Sequence, residues 1–174
     1  MFPYKEKLYH RENRLYNKII HLSRNKLFYT ELSLSDTFQN RINLIFLHIS
    51  FLFILIKLKK NPHLYKEFYQ KMFDFIFVKI ELNMREIGYG DTVINKNMKF
   101  LVKIFYNILL NCENFDKKSQ NSKMVFFLKY LSLNITKKKA NNLALIDYFD
   151  KYYAFCVDLT LDSVLKGNLN FKYK

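Results

Sequence analysis

A chain of 174 residues that is half hydrophobic, with 18 Phe and 13 Tyr, carries enough apolar surface for one compact domain, which excludes a disordered basic tail. Its 29 Lys and Arg against 15 Asp and Glu leave a net charge of +14. That balance fits attraction to phosphate, RNA or an anionic membrane face, and equally the Lys-, Asn- and Ile-rich vocabulary of an AT-rich coding sequence.

Only 3 Gly and 2 Pro leave few places for the tight turns of a many-stranded sheet, so the chain reads as an all-α, single compact multi-helix domain. The spacing predicts a first helix over about 7–26, with Leu15, Ile19, Ile20 and Leu22 on one side. A polar stretch, Thr30 to Ser33, leads to Ser35-Asp36-Thr37, whose short oxygen-bearing side chains suit a helix start. Gln39, three residues after Asp36, echoes a capping box. The helix that follows is predicted to end at Lys60, before Asn61-Pro62. From Leu64 to Ile87, Tyr69, Met72, Phe73, Ile76, Ile80, Met84 and Ile87 recur at steps of three and four. Gly88 stands where a C-terminal cap belongs. A further helix is expected near 95–111, a polar linker over 116–123, and helical patterns over 124–133 and 141–165. The domain is expected to span 15–165, with an N-terminal extension (1–14) and a C-terminal tail (166–174).

Between Arg41 and Lys57 lie 15 uncharged residues, Ile42 to Ile56. At about 1.5 Å per residue they reach about 22 Å, short of a hydrocarbon core of about 30 Å. With Asn43, His48 and Ser50 inside it, the run favours a buried core helix over a membrane span. The N-terminus resembles neither a secretory signal nor a transit peptide.

No nucleophile elbow, P-loop, dinucleotide fingerprint or His-Glu-x-x-His is present, and His10, His21, His48 and His63 lack metal-ligand spacing. His48, inside an apolar helix, reads as a satisfied core histidine. Cys112 and Cys156 support neither a disulfide framework nor a zinc site and fit a reducing compartment. Asn134-Ile135-Thr136 spells a glycosylation sequon, by chance in the absence of a signal peptide. The Lys runs at 57–60, 117–118 and 137–139 fall at predicted helix ends and linkers, where Lys complements the negative helix pole. No catalytic residue, metal or cofactor is expected.

The segment Met84-Arg85-Glu86-Ile87-Gly88-Tyr89-Gly90-Asp91 stands apart. Two glycines, a charged pair and an aspartate predict a rigid helix-loop-helix corner, with an Arg able to fork to the carboxylate. This segment, together with Leu15-Tyr16, Arg24, Phe28-Tyr29, Asp36-Thr37, Arg41, Leu47-His48, Phe73-Asp74, Lys96 and Phe105-Tyr106 in that order, resembles the ubiquinol-cytochrome c chaperone family, over roughly residues 15–112. Asn95 stands where that pattern has Gly, and Asn107-Ile108 where it has Gly-Arg. The resemblance implies a helical, non-enzymatic assembly factor of respiratory complex III that binds newly made cytochrome b. In mitochondrial members it also implies a small helical partner subunit and contact with the ribosome. A place at the cytoplasmic face of the inner membrane (the matrix side in a eukaryote), with peripheral membrane contact, follows for a bacterial-type member. Tyr29, Arg41, Arg85, Glu86, Asp91 and Lys96 form the expected partner surface, or a network that fixes the corner. The rival reading is a basic RNA- or ribosome-binding module, motivated by the charge.

Overall fold

A computed structural model describes residues 10–59, 62–132 and 138–173. The predicted helix end at Lys60-Asn61, the Asn134 sequon, Lys137 and residues 1–9 of the extension lie outside the described residues. The helices are α1 (His10–Ser23), α2 (Leu27–Thr30), α3 (Phe38–Lys57), α4 (Pro62–Glu86), α5 (Asp91–Cys112), α6 (Gln120–Tyr130), α7 (Lys138–Asp158) and α8 (Leu161–Leu165), with a 3-10 turn at Phe115–Lys117. No strand occurs among the described residues, so the all-α expectation holds.

Helix α3 is the axis of the molecule. Thr37 starts it by accepting a hydrogen bond from the Asn40 amide at 3.2 Å, as the short oxygen-bearing side chains predict. Fifteen of its twenty residues are buried, because α1, α4, α5 and α7 all pack around it. Among the described residues it is the one helix long and apolar enough to cross a membrane, and its apolar surface is covered by protein. The reading as a core helix is therefore the one the structure supports.

Each side of α3 meets a different aromatic layer. Towards α4 and α5, the Phe46 ring stacks on Phe77 at 5.6 Å and meets Phe105 edge-on at 5.2 Å. Towards α7, Phe51 lies 5.7 Å from Phe149, and the His48 ring is 4.8 Å from Tyr152. Pairs of this kind add about 0.5–1.5 kcal/mol each beyond the area they bury.

The polar residues of α3 are all directed to specific partners or held within the core. Asn40 donates to the carbonyls of Ser35 (2.7 Å) and Ser132 (2.9 Å) and accepts from the Ser132 amide (2.9 Å). Asn43 donates to the Tyr130 carbonyl at 2.6 Å. Together they fasten the end of α6 to the start of α3. His48 Nδ1 donates to the Leu44 carbonyl at 2.7 Å, which leaves Nε2 to accept from the Tyr148 hydroxyl at 2.8 Å. The carbonyl can only accept, so this pair of contacts fixes the neutral tautomer.

Three expectations need correction. Helix α5 begins at Asp91 and not near Asn95, because Gly90 adopts extended backbone (φ −73°, ψ 157°) and starts it without a side-chain cap. The stretch 116–123 is not a linker throughout. Ser119 caps α6 by accepting from the Ser122 amide at 3.2 Å, and Lys123 is buried, 2.7 Å from Asp150 and 4.7 Å above the Phe115 ring. The last pattern, over 141–165, is two helices. Thr160 restarts the chain as α8 by accepting from the Ser163 amide at 3.1 Å. Beyond α8, Leu169 is buried and the Phe171 ring packs 5.2 Å from Tyr152.

Candidate partner-binding site

The corner between α4 and α5 is closed by backbone chemistry first. The Tyr89 amide donates to the Met84 carbonyl (3.1 Å) and the Gly88 amide to the Arg85 carbonyl (3.0 Å), the paired bonds of a Schellman cap. Gly88 holds φ +97°, a left-handed backbone that a side chain strains even where space is open, as it is here. Gly88→Ala should therefore cost about 1 kcal/mol, seen as a lower urea midpoint.

Arg85 clasps this corner. Its Nε and Nη2 donate to Glu81 at 3.1 and 2.8 Å, and its Nη1 donates to Asp91 at 2.6 Å. The hydrogen bonds to Glu81, then those to Asp91, raise the guanidinium's already high pKa. Asp91 also sits in the first turn of α5, where a carboxylate complements the positive helix pole. Arg85 therefore ties the last turns of α4 to the first turn of α5, which accounts for an arginine in a chain that mostly uses Lys.

A second cluster lies at the start of α3. Arg41 grips Asp36 with two parallel bonds, Nε to Oδ1 at 2.7 Å and Nη2 to Oδ2 at 2.8 Å. The hydrogen bonds from Arg41 hold the Asp36 carboxyl below its usual range. The Tyr29 hydroxyl reaches the Ser23 carbonyl at 3.5 Å, and burial followed by the nearby Asp36 charge pushes its pKa up.

Arg41 and Glu86 come together in a cleft of about 200 Å³ between α1, α3 and the end of α4. Arg24 lines it as well, over an apolar floor that includes Ile42, Ile45 and Ile80. Arg85 and Asp91 are turned to the neighbouring corner. Lys96 is exposed on α5, and among the described residues neither it nor Glu86 makes an ion pair. The six expected residues thus form three neighbourhoods, with only Arg41 and Glu86 in the cleft itself.

Ile87 was expected to extend the apolar stripe of α4, yet it is 62% exposed and forms a lip of the cleft. The stripe ends at Met84 because the helix ends at Glu86 and the cap turns the chain. The signal was present: an apolar residue directly before the capping glycine falls outside the helix.

Among the described residues there is no group of His, Cys, Asp or Glu that could hold a metal. The cleft contains Glu86 but neither Arg85 nor Asp91. Burial pushes the Cys156 thiol up to about 12 and Cys112 higher still, the opposite of an activated nucleophile. The cleft is an apolar surface rimmed by charges of both signs, carried on a frame whose elements among the described residues are all helices.

The chain belongs to the ubiquinol-cytochrome C chaperone family, whose model matches residues 30–124. Membership makes it a chaperone for assembly of respiratory complex III. The matched segment contains Arg41, Arg85, Glu86, Asp91 and Lys96, and it begins one residue after Tyr29. The fold is similar to that in the crystal structure of the Cbp3 homolog from Brucella abortus, with a TM-score of 0.76 at 20% identity over 94% of this chain and 90% of that one. No curated protein matches the chain.

Proposed function

We propose that the protein binds newly made cytochrome b and escorts it into complex III without catalysing a reaction. The observation that carries this reading is the cleft in which Arg41, Glu86 and the exposed Ile87 meet, inside the family-matched segment. An apolar floor with charges of both signs on its rim suits a hydrophobic client segment flanked by polar residues. Tyr29, Lys96 and the Arg85–Asp91 corner extend the partner surface around it. The protein acts peripherally, at the inner-membrane face where cytochrome b is inserted.

Arg85→Ala tests the surface. The Arg85 ion pairs are exposed, and such pairs contribute little to stability. The variant should keep its helical circular dichroism and a thermal midpoint within a few degrees of wild type, while complex III assembly falls several-fold in cells. Normal assembly would remove Arg85 from the surface, and an unfolded variant would make its role structural.

A further inference from the structure

We infer that the exposed face of α1, with the turn after it, is a docking surface for an anionic lipid bilayer. Arg11, Arg14, Lys18, His21, Arg24 and Lys26 are all exposed there. The one carboxylate between Arg11 and Lys26 is Glu12, and it is buried. Three of the five arginines in the chain lie on this short stretch. Several exposed cations elsewhere in the structure are matched by carboxylates, as Lys151 is by Asp147 and Lys166 by Asp162. Here no ion pair forms among the described residues. Arg14 donates to the Lys166 carbonyl at 3.2 Å and Lys18 to the Asn170 side chain at 3.4 Å, both neutral. Acidic groups approach only at the margins, Glu67 near Arg11 and Glu86 across the cleft from Arg24. Lys172 adds a further cation beside His21.

The apolar side of α1, Leu15, Tyr16, Ile19 and Leu22, is already buried in the core. The helix therefore offers charge to a surface without inserting into it. Five Lys and Arg, three on α1 and two in the turn after it, fall within the four to eight clustered cations that anionic headgroups recognise, with each cation contributing about fivefold in affinity. Nucleic acid fits less well. Between Arg11 and Lys26 the one Phe, Tyr or Trp ring is that of Tyr16, which is buried, leaving the His21 imidazole as the single exposed ring, too little for a stacking platform. The cleft holding Arg24 opens beside this face, so a bilayer docked here would place the proposed membrane-protein client next to its destination. Only that last point rests on the cytochrome b reading.

The test mixes the full chain with vesicles of phosphatidylcholine alone and of phosphatidylcholine with phosphatidylglycerol, read by co-sedimentation at two salt concentrations. Wild type should bind the anionic vesicles alone and be released by salt. The triple variant Lys18→Gln, Arg24→Gln, Lys26→Gln should lose about a hundredfold in partitioning. The control Lys99→Gln, Lys103→Gln, Lys117→Gln removes equal charge from exposed positions elsewhere and should lose less than tenfold. If the triple variant loses helical circular dichroism, the three single variants replace it, each expected to lose about fivefold. Equal losses in the two triple variants, or no binding of wild type to anionic vesicles, would overturn the inference. So would a variant that stops binding single-stranded RNA yet keeps its vesicle binding. No client is present, so this result and the cytochrome b proposal stand or fall separately.

Discussion

Asn40→Ala should lower the unfolding free energy by about 3 kcal/mol, measured by urea denaturation followed by far-UV circular dichroism. The side-chain amide makes three hydrogen bonds to backbone, at 2.7, 2.9 and 2.9 Å, linking α3 to segments on both sides of it. Each such bond contributes about 1 kcal/mol net, and a buried backbone group left without a partner costs more. Ser132 keeps one bond in the variant, because the Ser35 amide also donates to its carbonyl at 3.0 Å. Asn40→Asp should be worse than Asn40→Ala. It preserves the acceptor for the Ser132 amide but replaces the donating –NH₂ by an oxygen facing two carbonyls, in a site that is 1% exposed. An Asp variant as stable as wild type would show that this amide network does not hold α6 to α3.

His48 gives the second large effect, and it depends on pH. Burial pulls the imidazole pKa down to about 4 from its ordinary 6.5, because the ring has no route to solvent and the charged form is penalised. The folded state therefore keeps His48 neutral over a range in which the unfolded chain takes up the proton. Its contribution to stability is complete above about pH 6.5 and is lost as pH falls towards 4, by about 3 kcal/mol in all. Below the folded-state value this residue causes no further loss. The carboxylates held low by partners, such as Asp36 and Asp147, act in the same direction but at lower pH. His48→Ala should remove the dependence between pH 4.5 and 6.5. It should also cost about 3–5 kcal/mol at pH 7, since it opens a cavity among Phe28, Phe149 and Tyr152 and leaves the Tyr148 hydroxyl without its acceptor. An unchanged pH profile in the variant would assign the acid sensitivity elsewhere.

These two residues mark where sequence reasoning stops. The burial of α3 was legible, because 15 uncharged residues are too few to span a bilayer and too apolar to face water. His48 was legible as a satisfied core histidine, but neither its partner nor those of Asn40 were. Asn40 reaches a backbone 92 residues away and His48 a hydroxyl 100 residues away, distances at which no local periodicity carries information. Local signals with a stereochemical cause were readable: the Thr37 cap, the Gly88 cap, the Arg85 fork. Where the local cause is silent the boundary was missed, as at Gly90, which starts α5 with no side-chain cap. Lys123 misled for a different reason. Its charge reads as surface, while its stem lies in the core and its ammonium reaches Asp150. Of the residues expected at the partner surface, packing alone separates the cleft of Arg41 and Glu86 from the clasped corner of Arg85 and Asp91.

The cleft as a client site is the central claim, and photo-crosslinking addresses it directly. A photoreactive amino acid placed at Ile87, on the exposed lip, should crosslink to newly made cytochrome b in cells assembling complex III, and the adduct should weaken when Arg41 is replaced by Ala. Crosslinks to ribosomal proteins alone, or cytochrome b adducts from Lys99 but not from Ile87, would contradict it.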